Sequence, residues 1–170
     1  MSAQTRYGYA TPIGAAGGLV DLAPYAIDTF LNEEENGVMK FGVGVVQGSK
    51  PGTNIAMPTK TATAEVFEGV STNNRTTEYD LDGKLFVRKG RPVGVMRYGR
   101  IYARVAEGVE PKYGDALYLV VEGDEAGCFT TVAAAAADAP ATIAVKGRFM
   151  GGVDTSAQIA QIELFNQAQA

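Results

Sequence analysis

The sequence lacks histidine and tryptophan altogether, and Cys128 is its single cysteine. Histidine is the side chain whose ordinary pKa lies near neutrality. Its absence removes the Ser–His and Cys–His nucleophile pairs and every zinc site that uses imidazole. One cysteine cannot form an intrachain disulfide. Because the usual routes to catalysis are closed, we expect a protein that is not an enzyme, with no catalytic, cofactor-binding or metal-binding residues.

Long apolar runs and an excess of positive charge are absent as well. No apolar stretch reaches the ~20 residues that a membrane-spanning helix needs. Residues 1–9 are polar and lack the apolar region of a signal peptide. The formal net charge of −4 gives the chain no general attraction to nucleic acid. We therefore expect a protein that is intracellular when it is made and that binds neither membrane nor nucleic acid.

Glycine, in contrast, is abundant, with 21 residues spread along the chain together with 7 prolines. Between these turn-forming residues, apolar and polar positions alternate as they do in half-buried strands. The clearest case places Ile101, Ala103 and Val105 on one face and arginines on the other. About eight to ten such strands, joined by close turns, predict an all-β fold, either a closed barrel or a jelly-roll-like sandwich.

Residues 39–45 predict the first strand of this β-domain. Apolar residues occupy every second position, and Gly42 and Gly44 lie on the opposite face. Because glycine has no side chain, that face leaves room for a neighbouring backbone, such as that of an N-terminal arm.

The first 36 residues follow neither a strand period nor a helix period for long, and Pro and Gly interrupt them repeatedly. We interpret residues 1–36 as an extended N-terminal arm. Residues 37–166 form the β-barrel or sandwich domain in this interpretation, and residues 167–170 form a tail that frays. Within the arm, residues 25–31 predict a short helical turn, since helix-starting residues precede them.

Two acidic clusters, residues 33–35 and 80–82, are candidate cation sites. A calcium loop needs further oxygen ligands and a bidentate glutamate at its end, whereas Lys84 and Arg88 follow the second cluster. The first cluster has no second acidic cluster nearby in the sequence. A charged turn is the favoured interpretation of both, and cation binding stays open.

A basic stretch with interleaved Tyr98 and Tyr102 covers the region of two predicted strands, residues 92–97 and 100–105. Its basic residues are Arg88, Lys89, Arg91, Arg97, Arg100 and Arg104. Three interpretations apply: a nucleic-acid site, the solvated outer face of two strands, or an electropositive patch that docks on an acidic protein surface. The acidic balance of the whole chain argues against nucleic acid. We favour the second and third interpretations together.

Five segments follow one another in a characteristic order. They are the end of the arm at 11–21, the strand at 39–48, the strand at 66–70, a central hairpin at 105–121 with Gly114-Asp115-Ala116, and a closing strand pair at 143–162. In this order the chain resembles the small capsid cement, or decoration, proteins of tailed bacteriophages. The resemblance spans roughly residues 10–165.

The resemblance implies a β-barrel or jelly roll with an extended arm and a structural, non-enzymatic role. It implies a trimer at threefold or quasi-threefold positions on the outer surface of the virion capsid, assembled in the cytoplasm of the host bacterium. The implied partners are the major capsid protein and further copies of the chain itself. The arms of such proteins reach neighbouring subunits and bind capsomers to each other, which stabilises the shell.

The candidate residues for intersubunit or capsid contact belong to the arm and to the basic stretch. They are Tyr7, Tyr9, Pro12, Ile13, Leu19, Val20 and Asp21 in the arm, and Arg97, Arg100 and Arg104, which we expect to face an acidic capsid surface.

Two other functions stay open at the level of sequence. One is a different virion component, in the tail or at the head–tail junction, which would assemble into rings or tubes. The other is a β-sandwich module that binds carbohydrate or another ligand on an aromatic platform. The candidate platform consists of Tyr98, Tyr102, Tyr113 and Tyr118.

Overall fold

The computed structural model describes residues 14–73, 78–79, 85–133 and 141–166, and β-strands make up nearly all of its regular structure. In chain order the strands are β1 (Ala26–Asn32), β2 (Gly44–Gln47), β3 (Asn54–Ala56), β4 (Phe67–Ser71), β5 (Glu78–Tyr79), β6 (Leu85–Phe86), β7 (Pro92–Arg104), β8 (Ala116–Val120), β9 (Phe129–Thr130), β10 (Thr142–Asp154) and β11 (Ile159–Leu164). Within these ranges the one helical element is a 3-10 turn at Ala64–Val66. The predicted all-β fold is confirmed. No helix in the described part of the chain is long and apolar enough to cross a membrane.

Five of the strands close into a small barrel. Their order is β1, β3, β2, β4 and β7, and β7 pairs again with β1. All of these pairs are antiparallel except β1 with β3. Buried side chains from four of the strands form the barrel core, among them Phe30, Val45, Ile55, Val93 and Val95. The barrel alternative of the fold prediction is therefore confirmed.

The other long strands form a curled sheet that extends from the second half of β7. Next to β7 lies β11, followed by β10, β8 and β9. The far edge returns to β7, since Val105 makes a β-bridge with Phe129 and the Ala106 amide donates to the Phe129 carbonyl at 2.9 Å. The larger of the two main cores lies inside this curl, where Phe129 and Ile162 are fully buried.

One strand, β7, belongs to both halves. Its neighbouring residues Val95 and Met96 are both 0% exposed, yet Val95 packs in the barrel core and Met96 packs in the core of the curled sheet. The prediction of two separate strands here is wrong. Gly99 has a positive φ of 119°, which lets one 13-residue strand bend where the sequence pattern indicates a break.

Strand β1 occupies the stretch for which the sequence predicted a helical turn, and that prediction is also wrong. Ile27 and Thr29 are β-branched and favour extended backbone, and β7 pairs with the strand over most of its length. A single helical turn is costly to form alone, so pairing with β7 decides the conformation. The strand lies within residues 1–36, the range that the sequence analysis assigned to the arm.

The N-terminal segment, residues 14–20, lies alongside β7, as β1 does. The Gly17 amide donates to the Tyr102 carbonyl at 2.7 Å, and the Val20 amide donates to the Arg100 carbonyl at 3.2 Å. The N-terminal segment and β1 thus lie beside successive parts of β7, and both run antiparallel to it. Between them, residues 21–25 form a loop that leaves the sheet and returns to it.

Candidate functional site

The second half of the basic stretch, Arg97 to Arg104, lies on β7, and the predicted alternation of its two faces is confirmed. Ile101 is fully buried in the core, whereas Arg100 and Arg104 lie half-buried on the opposite face. Tyr102 shares the arginine face, but it is only 6% exposed because the N-terminal segment packs over it. This face is consequently covered in part by the chain's own backbone.

Arg100, on β7, belongs to a chain of ion pairs that joins four segments of the protein. Its Nη1 lies 2.9 Å from Oδ2 of Asp21, and its Nε lies 3.0 Å from Oε1 of Glu163 on β11. The other oxygen of Glu163 lies 2.6 Å from Nη2 of Arg148 on β10. The pairs bind the loop after the N-terminal segment to the curled sheet.

These contacts perturb both carboxyl groups in the same direction. The hydrogen bond from Arg100 lowers the pKa of Asp21, and the Ala23 amide adds to this effect. Burial works to raise the pKa of Glu163, but hydrogen bonds from Arg148 and Arg100 outweigh it, so that the pKa is lowered. Both groups are therefore carboxylates at neutral pH.

The two other arginines of the candidate set also have partners within the chain. Arg97 lies 3.3 Å from Asp28 and 3.5 Å from Glu68, whose side chain is nearly buried. The Nε of Arg104 donates to the Phe41 carbonyl at 3.0 Å. The charges of Arg97 and Arg100 are thus matched by nearby carboxylates, whereas Arg104 contacts a neutral backbone carbonyl.

The arm candidates divide into two groups. Leu19 packs against the core of the curled sheet, Val20 packs against the cluster around Tyr102, and Asp21 pairs with Arg100. These three residues thus lie beside β7 at the level of Arg100 and Ile101. The remaining candidates, which lie before residue 14, fall outside the described residues: Tyr7, Tyr9, Pro12 and Ile13.

Beside the paired charges lies an apolar patch that the sequence analysis did not identify, the Leu22 patch. It consists of Leu22, Tyr25, Ile27 and Tyr98, which are 89%, 47%, 36% and 42% exposed. Tyr98 of β7 lies opposite Ala26 of β1. Since Ala26 directly follows Tyr25, the two tyrosines belong to neighbouring parts of the sheet. The sequence contains no distinct signal for this patch, because Leu22 closely follows Leu19 and Val20, two apolar residues that pack inward.

The three glutamates at 33–35 point to three different partners. Oε2 of Glu33 accepts from the Ser49 amide at 2.6 Å, which lowers the pKa of Glu33. Oε1 of Glu34 accepts from the Met57 amide at 2.8 Å, and Glu35 pairs with Lys89 at the surface. In the part of the chain that the structure describes, no group of three or more acidic, cysteine or histidine side chains is arranged to hold a metal. Residues 80–82 lie outside that part.

A cleft of about 280 Å³ separates the barrel from the curled sheet. Its lining includes four polar or ionisable side chains, Lys40, Arg104, Glu125 and Cys128. Burial raises the pKa of the Cys128 thiol, which lowers the fraction of reactive thiolate at neutral pH. The Cys128 thiol is therefore not an activated nucleophile.

The tyrosines of the candidate aromatic platform do not share one exposed surface. Tyr102 is buried under the N-terminal segment, whereas Tyr113 is 65% exposed, and the guanidinium of Arg148 lies 5.3 Å from its ring. Tyr113 precedes β8 in the curled sheet, and Tyr98 lies beside β1.

Comparisons with known proteins agree with this structural picture. A chain from the capsid of the Myoviridae phage XM1 has a similar fold, with a TM-score of 0.69 and 18% sequence identity over 96% of this chain and 98% of that chain. No curated protein matches the sequence. The family model described as structural cement protein (E217 gp24/Pam3 gp6) matches residues 3–165. The resemblance found in the sequence is thereby confirmed, and the chain belongs to the family of phage structural cement proteins.

Proposed function

We propose that this protein binds the outer surface of a phage head, bridges neighbouring capsomers and stabilises the shell without any catalytic step. The observation that carries the proposal is the match to the structural cement family over nearly the whole chain. The structure supports a non-catalytic role, because the charged groups described above are engaged in holding the N-terminal segment and the loops in place. The partners are the major capsid protein and further copies of this chain, most simply as a trimer at threefold positions.

Weak contacts suffice for such a role. Many copies on a symmetric lattice act together, so the overall affinity for a shell exceeds that of any single contact. We infer that contact residues come from residues 1–13 and from the surface around Leu19, Val20, Asp21 and the arginines of β7. Because Arg97 and Arg100 are already paired with carboxylates, they contribute to this surface by holding its shape more than by their charge.

The test is co-sedimentation of the purified full-length protein with expanded capsids of its phage that lack it. Saturable binding with a stoichiometry that matches threefold positions supports the proposal. If the bound amount changes little between low and moderate salt, contacts other than exposed ion pairs dominate. A protein that binds no capsid form, or that assembles alone into rings or tubes in electron micrographs, contradicts the proposal and points to a tail component.

A variant without residues 2–13 tests the role of the arm. The cut leaves Gly14 onward in place, because removal of the whole N-terminal segment would uncover Tyr102 and confuse loss of folding with loss of binding. We expect weaker capsid binding with an unchanged far-ultraviolet circular dichroism spectrum. Equal binding by the shortened protein would count against an arm that contacts the lattice.

A further inference from the structure

Strand β1 has a partner on one side only over most of its length. On one side β7 pairs with it from Ala26 to Leu31. On the other side β3 pairs with it only at Leu31 and Asn32. Among the described residues, no strand pairs with this second side of residues 26–30. Within the described part of the chain, the barrel is therefore closed at one end of β1 and leaves a free strand edge at the other.

The hydrogen bonds at the end of β1 show which amides face this edge. The Asn32 amide donates to the Arg91 carbonyl beside β7, and the Leu31 amide donates to the Thr53 carbonyl beside β3. Since backbone groups alternate sides along a strand, the amide and carbonyl of Thr29 point away from β7. They are available to an added strand.

The Leu22 patch reaches the free edge through Ile27, which lies on β1, whereas its member Tyr98 lies on β7. The exposed parts of the four Leu22-patch side chains amount to roughly 400 Å², within the size range of patches that mark contact sites. The loop that carries Leu22 is fixed in place, because the Ala23 amide donates to Asp21 at 3.0 Å and the Asp21 carboxylate pairs with Arg100. Tyr25 packs closely against Gly99, where an added Cβ would lie 2.7 Å from the Cβ of Tyr25. A surface that is ordered before binding loses little entropy on binding.

We propose that the free edge of β1 accepts an extended segment of the shell protein by strand addition, with apolar side chains of that segment resting on the Leu22 patch. This inference rests on the proposed function, since the shell is its partner. Main-chain hydrogen bonds to residues around Thr29 hold the segment, and the Leu22 patch selects apolar residues at alternate positions, as in other cases of β-augmentation.

A second copy of this chain fits the edge less well. The register that pairs all of residues 26–30 with the same residues of another copy is centred on Asp28 and places two Asp28 carboxylates directly opposite. This like-charge pair is unfavourable, because Arg97, the cation beside each Asp28, is shared with Glu68. The exposed area of the Leu22 patch is also only about half of the ~800 Å² that each partner buries in a stable protein–protein interface. A small surface that is repeated on a lattice suits the shell, where many copies bind together.

Substitution of Thr29 tests the proposal with a matched pair of variants. Thr29→Pro removes the amide that faces the free edge, and an edge position with its amide toward solvent tolerates proline. Thr29→Ala removes the same side chain but keeps the amide. We expect Thr29→Pro to weaken binding to capsids that lack the protein by about tenfold, and Thr29→Ala to change it less than about twofold, on the basis of one or two lost main-chain hydrogen bonds. Equal binding by the two variants overturns the proposal.

Hydrogen exchange of the wild-type protein gives a second readout that does not depend on a folded proline variant. The Thr29 amide should exchange fast in the free protein and become protected when capsids are bound. Continued fast exchange of the Thr29 amide in the bound state overturns the proposal. The proposed function would still stand in that case, because the protein would have bound the capsid. Protection of Thr29 in the free protein at concentrations where it self-associates would assign the edge to a second copy instead, which also overturns the proposal.

Discussion

Gly17 and Gly42 lie back to back, and a Cβ added to Gly42 would stand 2.7 Å from the backbone nitrogen of Gly17. Both residues have positive φ, 78° and 74°. The contact joins the N-terminal segment to the loop before β2, and two further bonds surround it: the Asn73 amide donates to Gly17 and the Gly42 amide donates to Ser71, both at 2.8 Å. The strand predicted at residues 39–45 begins only at Gly44, and Gly42 lies in the turn before it, where the missing side chain admits the backbone of the N-terminal segment.

Gly42→Ala should destabilise the fold by about 3 kcal/mol, since the new Cβ adds steric overlap with backbone to the cost of a left-handed residue. Gly37→Ala is the matched control. Gly37 also has positive φ, 84°, but nothing lies within 4 Å of its added Cβ, so about 1 kcal/mol is expected from conformation alone. Urea unfolding monitored by circular dichroism measures both. Similar losses for the two variants would show that the Gly17–Gly42 contact does not constrain the backbone.

The pairing of Asp21 with Arg100 should make the attachment of the N-terminal segment depend on pH. The folded-state pKa of Asp21 is lowered, so its stabilising effect is complete above the unfolded value of about 4 and is lost as the pH falls through the folded value. The urea midpoint of Asp21→Asn should therefore lie below that of the wild type at pH 7, and the two should converge as the pH falls below about 4. In an Arg100→Gln background the same substitution should have little effect at either pH, because the partner is gone. A gap that persists at low pH would argue against the ion pair.

The sequence was sufficient to predict the strand-rich fold and the closing strands, because alternation of apolar and polar residues is a local signal. It failed where long-range pairing decides. Residues 25–31 predicted a helical turn because their helix-start signals are local, whereas the partner that makes them a strand, β7, lies some 65 residues later in the chain. The bend at Gly99 was similarly interpreted as a break between two strands, because a glycine in the sequence is equally typical of a bend within a strand and of a break between strands.

The candidate site shows the same division. The arginine face of β7 was predicted correctly, because it follows from alternation. The pairing of two of its arginines with Asp21, Asp28 and Glu163 could not be predicted, since these residues reach the arginines only through the tertiary fold. The Leu22 patch was missed because an exposed apolar residue in a turn is indistinguishable, in sequence, from one that returns to the core.

Adjacent glutamates in the run at 33–35 should differ sharply in their contribution to stability. Glu34→Ala should cost about 1.5–3 kcal/mol, because a half-buried carboxylate that accepts from the Met57 amide is lost and the amide stays without its charged acceptor. Glu35→Ala removes a surface ion pair with Lys89, in which both side chains are more than half exposed, so the loss should stay below about 0.5 kcal/mol. Thermal unfolding of the two variants at constant ionic strength provides the comparison. Equal effects would restore the interpretation of the run as a solvated charged turn.

Because Val95 and Met96 are neighbours on one strand and belong to different cores, the barrel and the curled sheet should unfold together. Met96 is fully buried and extends from a barrel strand into the core of the curled sheet, so Met96→Ala should cost about 2–5 kcal/mol. Native-state hydrogen exchange can report the two halves separately, through amides of β2 for the barrel and of β11 for the curled sheet. If β7 couples the halves, both sets of amides should lose the same protection free energy in this variant. A loss confined to β11 would show that the curled sheet opens alone while the barrel stays closed, and that β7 connects two independently stable units.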